Sequence, residues 1–243
     1  MSRLWQGIVA LLAAIANWRF FKPAVFVLCT YKAVVLSWRL HLLLTGKNVE
    51  VLGVDPKATL LHETGETALL ILFVTLSITP LRRIFKVNKL QSVRRMLGVW
   101  SFVYALLHLT VYLVFDQLCY SLETCDFRAI WEDILKRRFI FVGQLAFLIL
   151  LLLAITSTGG WVRRLKKNWQ RLHRLAYVAA AAGVVHFIWI QKSDIRVPLR
   201  WAAVLAVLLA IRVYFSIQKR SATPRGAGAP SARGVGVGPH ASK

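Results

Sequence analysis

Carboxylates are scarce in this chain. Ten Asp and Glu stand against 32 Lys and Arg in 243 residues, and charged residues of both signs make up only 17%. A soluble domain carries roughly 25% charge and about half apolar residues; here 57% are apolar and mean hydropathy is +0.57. That excludes an ordinary water-soluble globule. Cysteine is also sparse, with three residues and no CxxC pair, so the chain encodes neither a disulfide scaffold nor a cysteine zinc site. No P-loop, GxGxxG, HExxH or internal repeat occurs, which removes nucleotide-cradling, zinc-protease and solenoid readings.

What is present is apolar length. Six stretches approach the roughly 20 residues that cross a bilayer as a helix: Pro23–Leu44, His62–Leu81, Met96–Phe115, Phe139–Thr156, Leu172–Trp189 and Val197–Phe215. Irregular backbone cannot face lipid, so the expected fold class is all-α, a polytopic membrane protein of six transmembrane helices. Residues 1–22 read as an N-terminal interfacial segment whose apolar run Ile8–Ala16 is too short to span. Residues 23–218 read as the membrane domain, and residues 219–243, rich in Gly, Ala, Pro, Ser and Arg, as a disordered tail.

Charge sorts by side. Arg82, Arg83, Lys86, Lys89, Arg94 and Arg95 follow the second span. Arg163, Arg164, Lys166, Lys167, Arg171 and Arg174 follow the fourth, and six more basic residues lie from Arg212 onward. The acids, from Glu50 and Asp55 to Asp133 and Asp194, fall at the opposite ends. The positive-inside rule then places both termini in the cytoplasm, and the net charge of +22 reflects sidedness rather than a nucleic-acid surface. Trp18, Trp100, Trp161 and Trp169 mark the inner interface, and Trp131, Trp189 and Trp201 the outer one. Cys119 and Cys125 share an outer loop, where bridged and free states are both open; Cys29 reads as a small buried apolar residue.

An imidazole in hydrocarbon is costly and marks function. His108 lies fourteen residues after Arg94, and His186 thirteen after His173. At 1.5 Å per residue both rises come to roughly 20 Å, so His108 and His186 share one depth while Arg94 and His173 share another. Two facing imidazoles at one depth suit the axial ligands of a b-type haem. A hydrogen-bonded interhelical pair is the alternative, which the matched depths disfavour. Ala179, Ala180, Ala181, Ala182 and Gly183, with Gly98 and Ala105, let a macrocycle approach the backbone and equally permit close helix packing. His173, between Arg171 and Arg174, reads either as a ligand or as a solvated interfacial residue. His62, within His62-Glu63-Thr64-Gly65-Glu66, has three roles open: supporting the outer site, binding a quinone oxygen, or capping the helix entrance. His41 and His240 read as incidental. Histidines spread over roughly 20 Å of depth do not make a zinc site, and the absence of CxxCH excludes covalently attached haem.

Several short segments in order carry a resemblance: Asp55-Pro56, His62-Glu63-Thr64-Gly65, Thr79-Pro80-Leu81, Arg94-Arg95-Met96-Leu97-Gly98 and Tyr104-Ala105-Leu106-Leu107-His108. Then come Lys136-Arg137-Arg138-Phe139-Ile140, Thr156-Ser157, Trp169-Gln170-Arg171-Leu172-His173-Arg174-Leu175-Ala176-Tyr177 and His186. From about Leu52 to Phe215 the chain resembles the ferric-reductase-like transmembrane superfamily, and most closely its bacterial haem-binding subunits of protein-methionine-sulfoxide reductase systems. The resemblance implies a haem-holding helix bundle in the bacterial inner membrane, with b haem (one or two) and FMN as cofactors. It also implies a periplasmic molybdopterin-containing methionine-sulfoxide reductase as partner, and the quinone pool or a cytoplasmic flavin reductase as electron donor. Carried over by position, His108 and His186 are the axial pair of an outer haem, and His173 is a ligand of an inner one. Arg94 stands where the oxidase members carry a further histidine and is a candidate propionate contact; Arg138 stands where members often carry Pro. The chain has no flavin or nicotinamide domain of its own, so the expected role is an electron-transfer subunit whose partner turns over the substrate. A free-standing ferric or quinone reductase, a non-haem small transporter or channel, and a structural assembly factor are the rival readings.

Overall fold

The computed structural model describes residues 3–46, 54–119, 124–191 and 194–221, and among these it holds helices and no strand. The helices are α1 (Arg3–Asn17), α2 (Phe21–Leu44), α3 (Pro56–Phe85), α4 (Gln91–Phe115), α5 (Phe127–Lys136), α6 (Arg138–Ile155), α7 (Gly159–Leu165), α8 (Lys167–Leu172), α9 (Leu175–Ile190) and α10 (Arg196–Ser221). A single 3-10 turn, Asn88–Leu90, precedes α4. Six helical segments, with α8 and α9 taken as one, are long and apolar enough to cross a membrane, and the protein is a multi-pass membrane protein. All six lie over the expected spans. The expected disordered tail falls, from residue 222 on, outside the described residues.

Local chemistry moves the helix ends beyond the hydropathy limits. α3 begins six residues before His62 because Asp55 caps it, accepting from the Ala58 amide at 2.9 Å, with Pro56 in the first turn where no N–H is needed. It ends on Lys86 in the left-handed region at φ 58°. Span five is broken instead of continuous. Between α8 and α9 the bonds tighten to i→i+3, Arg174 N to Arg171 O at 3.2 Å and Tyr177 N to Arg174 O at 3.1 Å, and His173 sits in the break.

α3 is the central element because two of its faces are buried. Leu60, Ala68, Ile71 and Ile78 pack with Leu97, Tyr104 and Val111 of α4 and with Cys29, Ala33 and Leu36 of α2. Leu69, Leu72, Phe73 and Leu76 pack with Leu150 and Leu153 of α6, Ala179, Ala180 and Val184 of α9, and Leu205 of α10. Lipid is as apolar as leucine, so packing and interhelical hydrogen bonds hold such a bundle. Tyr104 donates to the Cys29 carbonyl at 2.6 Å, and Ser101 to the Ala68 carbonyl at 2.9 Å. α2 and α10 flank this bundle.

The acid-rich connection between α4 and α6 contains a helix that hydropathy does not reveal. α5 is capped by Asp126, which accepts from the amides of Arg128 (2.9 Å) and Ala129 (3.1 Å). Asp133 ties it to the bundle, accepting from Tyr112 Oη at 2.7 Å and Gln117 Nε2 at 3.0 Å and pairing with Arg137 at 2.7 Å. Cys119 and Cys125 are bridged. At the other, basic end, α1 packs beside the 3-10 turn with Trp5 stacked on Phe85, ring centroids 5.0 Å apart.

Candidate functional site

At the acidic end, α4 and α9 bring the His108 and His186 rings together, one edge-on to the other. Their ring centroids are 6.1 Å apart and their planes cross at 89°. Each ring is fixed through Nδ1 to a carbonyl on the helix beside its own: His108 to Leu61 O of α3 at 3.0 Å, His186 to Phe139 O of α6 at 2.6 Å. A carbonyl only accepts, so Nδ1 carries the proton in both rings and Nε2 keeps its lone pair. That is the second-shell arrangement that orients metal-binding histidines. Thr64 adds to it, with Oγ1 donating to Leu60 O at 2.6 Å and lying 3.3 Å from His108 Nδ1.

Two glycines make the room. A Cβ built on Gly65 of α3 would lie 3.1 Å from His108 Cε1 and Nδ1; one on Gly143 of α6 would lie 2.6 Å from His186 Nδ1. The arrangement repeats, with a histidine on one helix packed over a glycine on its neighbour. Two imidazoles sharing one metal, with each nitrogen about 2 Å from it, have centroids about 6 Å apart. The pair therefore fits an axially held b haem. Among the described residues no group of three His, Cys, Asp or Glu could hold a bare metal ion.

Ala105, Ala179, Ala180 and Ala181 pack in or against the core, whereas Gly98 lines a cavity at the basic end. Ala179 and Ala180 are buried in the core, and a Cβ on Gly183 would come 3.2 Å from Leu69 Cδ1, so this face of α9 closes on α3. His62 lies at the rim of the His108–His186 pair, its ring 6.2 Å from that of Phe187, and is exposed. His41 lies apart at the end of α2 near Trp38, ring centroids 5.7 Å apart. His240 is outside the described residues.

At the basic end, His173 and Arg94 line one cavity of about 790 Å³ between α3, α4, α6, α8, α9 and α10. Its deep wall is apolar, formed by Leu72, Leu76, Leu150 and Leu153. Its remaining lining includes Arg82, Arg83, Arg94, Arg95, Arg174 and Arg212, and no carboxylate. His173 is stacked on Trp169 with centroids 4.0 Å apart. Its Nε2 lies 3.3 Å from Thr156 Oγ1, whose proton goes to Leu152 O at 2.8 Å, so Thr156 accepts from Nε2–H. Arg212 lies over the Tyr177 ring, 4.2 Å from its centroid, and donates to the phenol oxygen. Thr79 Oγ1, also on the lining, is buried without a partner among the described residues. Pro80 next to it has no N–H to give the Leu76 carbonyl.

Sequence reasoning missed Gly143, the Leu61 and Phe139 carbonyls and Thr79. A glycine in an apolar run was the only available signal for the first. Carbonyl contacts leave no trace in residue identity.

The family model described as ferric reductase like transmembrane component matches residues 64–184, which enclose α3's inner part through most of α9. The chain is 46% identical over 187 residues to the "Protein-methionine-sulfoxide reductase heme-binding subunit MsrQ" of Xanthomonas axonopodis pv. citri, covering 75% of this chain and 81% of the relative. It is 45% identical over 202 residues to the protein of that name in Xanthomonas euvesicatoria pv. vesicatoria (82% and 88%). In Herminiimonas arsenicoxydans the figures are 46% over 173 residues (70% and 77%). No solved structure matches. The chain belongs to the ferric reductase like transmembrane family and, within it, to the MsrQ proteins.

Proposed function

We propose that the protein is the haem-binding membrane subunit of a methionine-sulfoxide reductase system, passing electrons across the inner membrane to a periplasmic molybdopterin-containing catalytic subunit. The observation that carries this reading is the His108–His186 pair, two imidazoles with centroids 6.1 Å apart and neither Nε2 bonded among the described residues. A b haem held there supplies one-electron chemistry within the membrane. The chain's own part is positional. Leu61 O, Phe139 O and Thr64 set the imidazole tautomer and orientation, and Gly65 and Gly143 keep the rings from being pushed aside. The names of its relatives support the haem and the reductase system.

The inner cavity is the proposed second redox site. Its apolar wall and arginine lining suit an amphiphilic anionic ring system, either a second b haem on His173 with propionates at arginines, or FMN with its phosphate there. Arg94 has no lone pair to give, so it meets the anionic edge and not a metal. Electrons enter from quinol or from a cytoplasmic flavin reductase docking at the basic end, with both termini cytoplasmic. His62 is a rim contact for the outer haem or a quinone.

The test is the absorption spectrum of the purified full chain, oxidised and dithionite-reduced, with haem counted per chain. Reduced b-type bands are expected, and His108→Ala or His186→Ala removes the bis-imidazole component while the protein still inserts. Unchanged spectra in both variants refute the assignment. A colourless protein favours a transporter, and reduction of external ferric iron without the partner favours a free-standing reductase.

A further inference from the structure

We infer that Asp133 is a positioning residue for the His108–His186 pair, clamping the ends of α4 and α6 so that the two imidazoles meet at right angles. The inference rests on the reading of that pair as haem ligands. Asp133 belongs to α5, which carries neither histidine, and its side chain is only 14% exposed. Its two oxygens are divided between two helix ends. Oδ2 accepts from Tyr112 Oη at 2.7 Å and from Gln117 Nε2 at 3.0 Å, in the last turn and at the exit of α4. Oδ1 pairs at 2.7 Å with Nε of Arg137, the residue that leads into α6. Gln117 also donates to Tyr112 Oη at 2.9 Å, which locks the α4 side together.

Each arm of the clamp ends close to a ring. Tyr112 stands one turn past His108 on the same side of α4. Arg137 comes just before the first turn of α6, where the Phe139 carbonyl takes the His186 Nδ1–H at 2.6 Å. That contact has no slack, because a Cβ on Gly143, one turn further along α6, would lie 2.6 Å from the same nitrogen. A shift of the first turn of α6 therefore turns the His186 ring. No side chain caps α6, so its start is located through Arg137, whose amide also donates to the Asp133 carbonyl at 3.0 Å. Glu132, the neighbouring carboxylate, shows the contrast: it pairs with Arg128 and Lys136 inside α5 and reaches neither helix. The two rings cross at 89°, close to the widest angle two planes can make, so a loosened clamp can only lower it.

The test is electron paramagnetic resonance of the ferric full chain and of its Asp133→Asn, Tyr112→Phe and Glu132→Gln variants, with haem counted by absorbance. Asparagine keeps one acceptor oxygen and cannot serve both helix ends. Asp133→Asn should retain haem but shift the largest g value downward, from that of crossed imidazole planes toward that of parallel ones. Tyr112→Phe loses one arm and keeps Gln117, so it should shift the value less and in the same direction; Glu132→Gln should leave it in place. Should Asp133→Asn fail to insert, Tyr112→Phe decides by the same criterion. An unmoved g value in both clamp variants, or an equal shift in Glu132→Gln, overturns the inference and leaves the haem reading standing. A parent without a bis-imidazole signal overturns that reading, and this inference with it.

Discussion

The two ends of the bundle use the same helices for opposite chemistry. At the acidic end, α4 and α9 each present an imidazole whose Nδ1 is spent on a neighbouring carbonyl and whose Nε2 is free. At the basic end, the same two strands of chain present Arg94 and His173, and that imidazole lies flat on Trp169 with Nε2 bonded to Thr156. Glycine at the two crossings distinguishes them. Gly65 and Gly143 let the His108 and His186 rings stand between helices, whereas the basic end is an arginine-lined cavity of about 790 Å³. On the proposed reading, the acidic end supplies metal ligands and the arginine-lined end meets an anion.

Removing one imidazole of the His108–His186 pair breaks the comparison most strongly, with His186→Ala expected to abolish the bis-imidazole signal. Next comes Arg94→His, which places a second imidazole beside the inner cavity. It should raise haem bound per chain, or tighten inner haem, with the outer signal unaltered; no change in haem count or affinity would show that the cavity is not layered for a macrocycle. Gly143→Ala follows. Its Cβ would sit 2.6 Å from His186 Nδ1 and must displace the ring from Phe139 O. A loss of roughly 10- to 100-fold in haem affinity is expected, as for second-shell losses at metal sites. Gly65→Ala, with 3.1 Å to His108, should cost less, and the order of the two in a haem-transfer titration checks the geometry.

The smallest effect concerns α5. Lys136 and Arg128 hold the Glu132 carboxyl below its ordinary 4.5, and Glu132 raises Lys136 above 10.5. The carboxylate's contribution is present above the ordinary value and lost as pH falls through the lowered one. The lysine's is present below 10.5 and lost as pH rises through the raised value. Both groups are exposed, so the change in α5 protection from hydrogen exchange should be slight and suppressed by salt.

Periodicity and length made the six spans legible, and a rise of about 1.5 Å per residue put His108 and His186 at one level before any coordinates. The unread features depend on contacts between distant segments. α5 is too short and too amphipathic to register as a span, and the break at His173 is a local bond switch without Pro or Gly. Gly143 looks like any glycine in an apolar run until His186 is seen over it. Ala179 and Ala180 of α9 show the converse: their small size is plain in sequence, but only packing reveals that it closes the bundle core.

The most direct test is low-temperature electron paramagnetic resonance of the ferric full-length protein beside its His108→Ala and His186→Ala variants. A low-spin signal of two axial imidazoles in crossed planes, as the 89° between the rings requires, should be present in the parent and lost in both variants. A parent signal that survives either substitution would contradict shared ligation by His108 and His186.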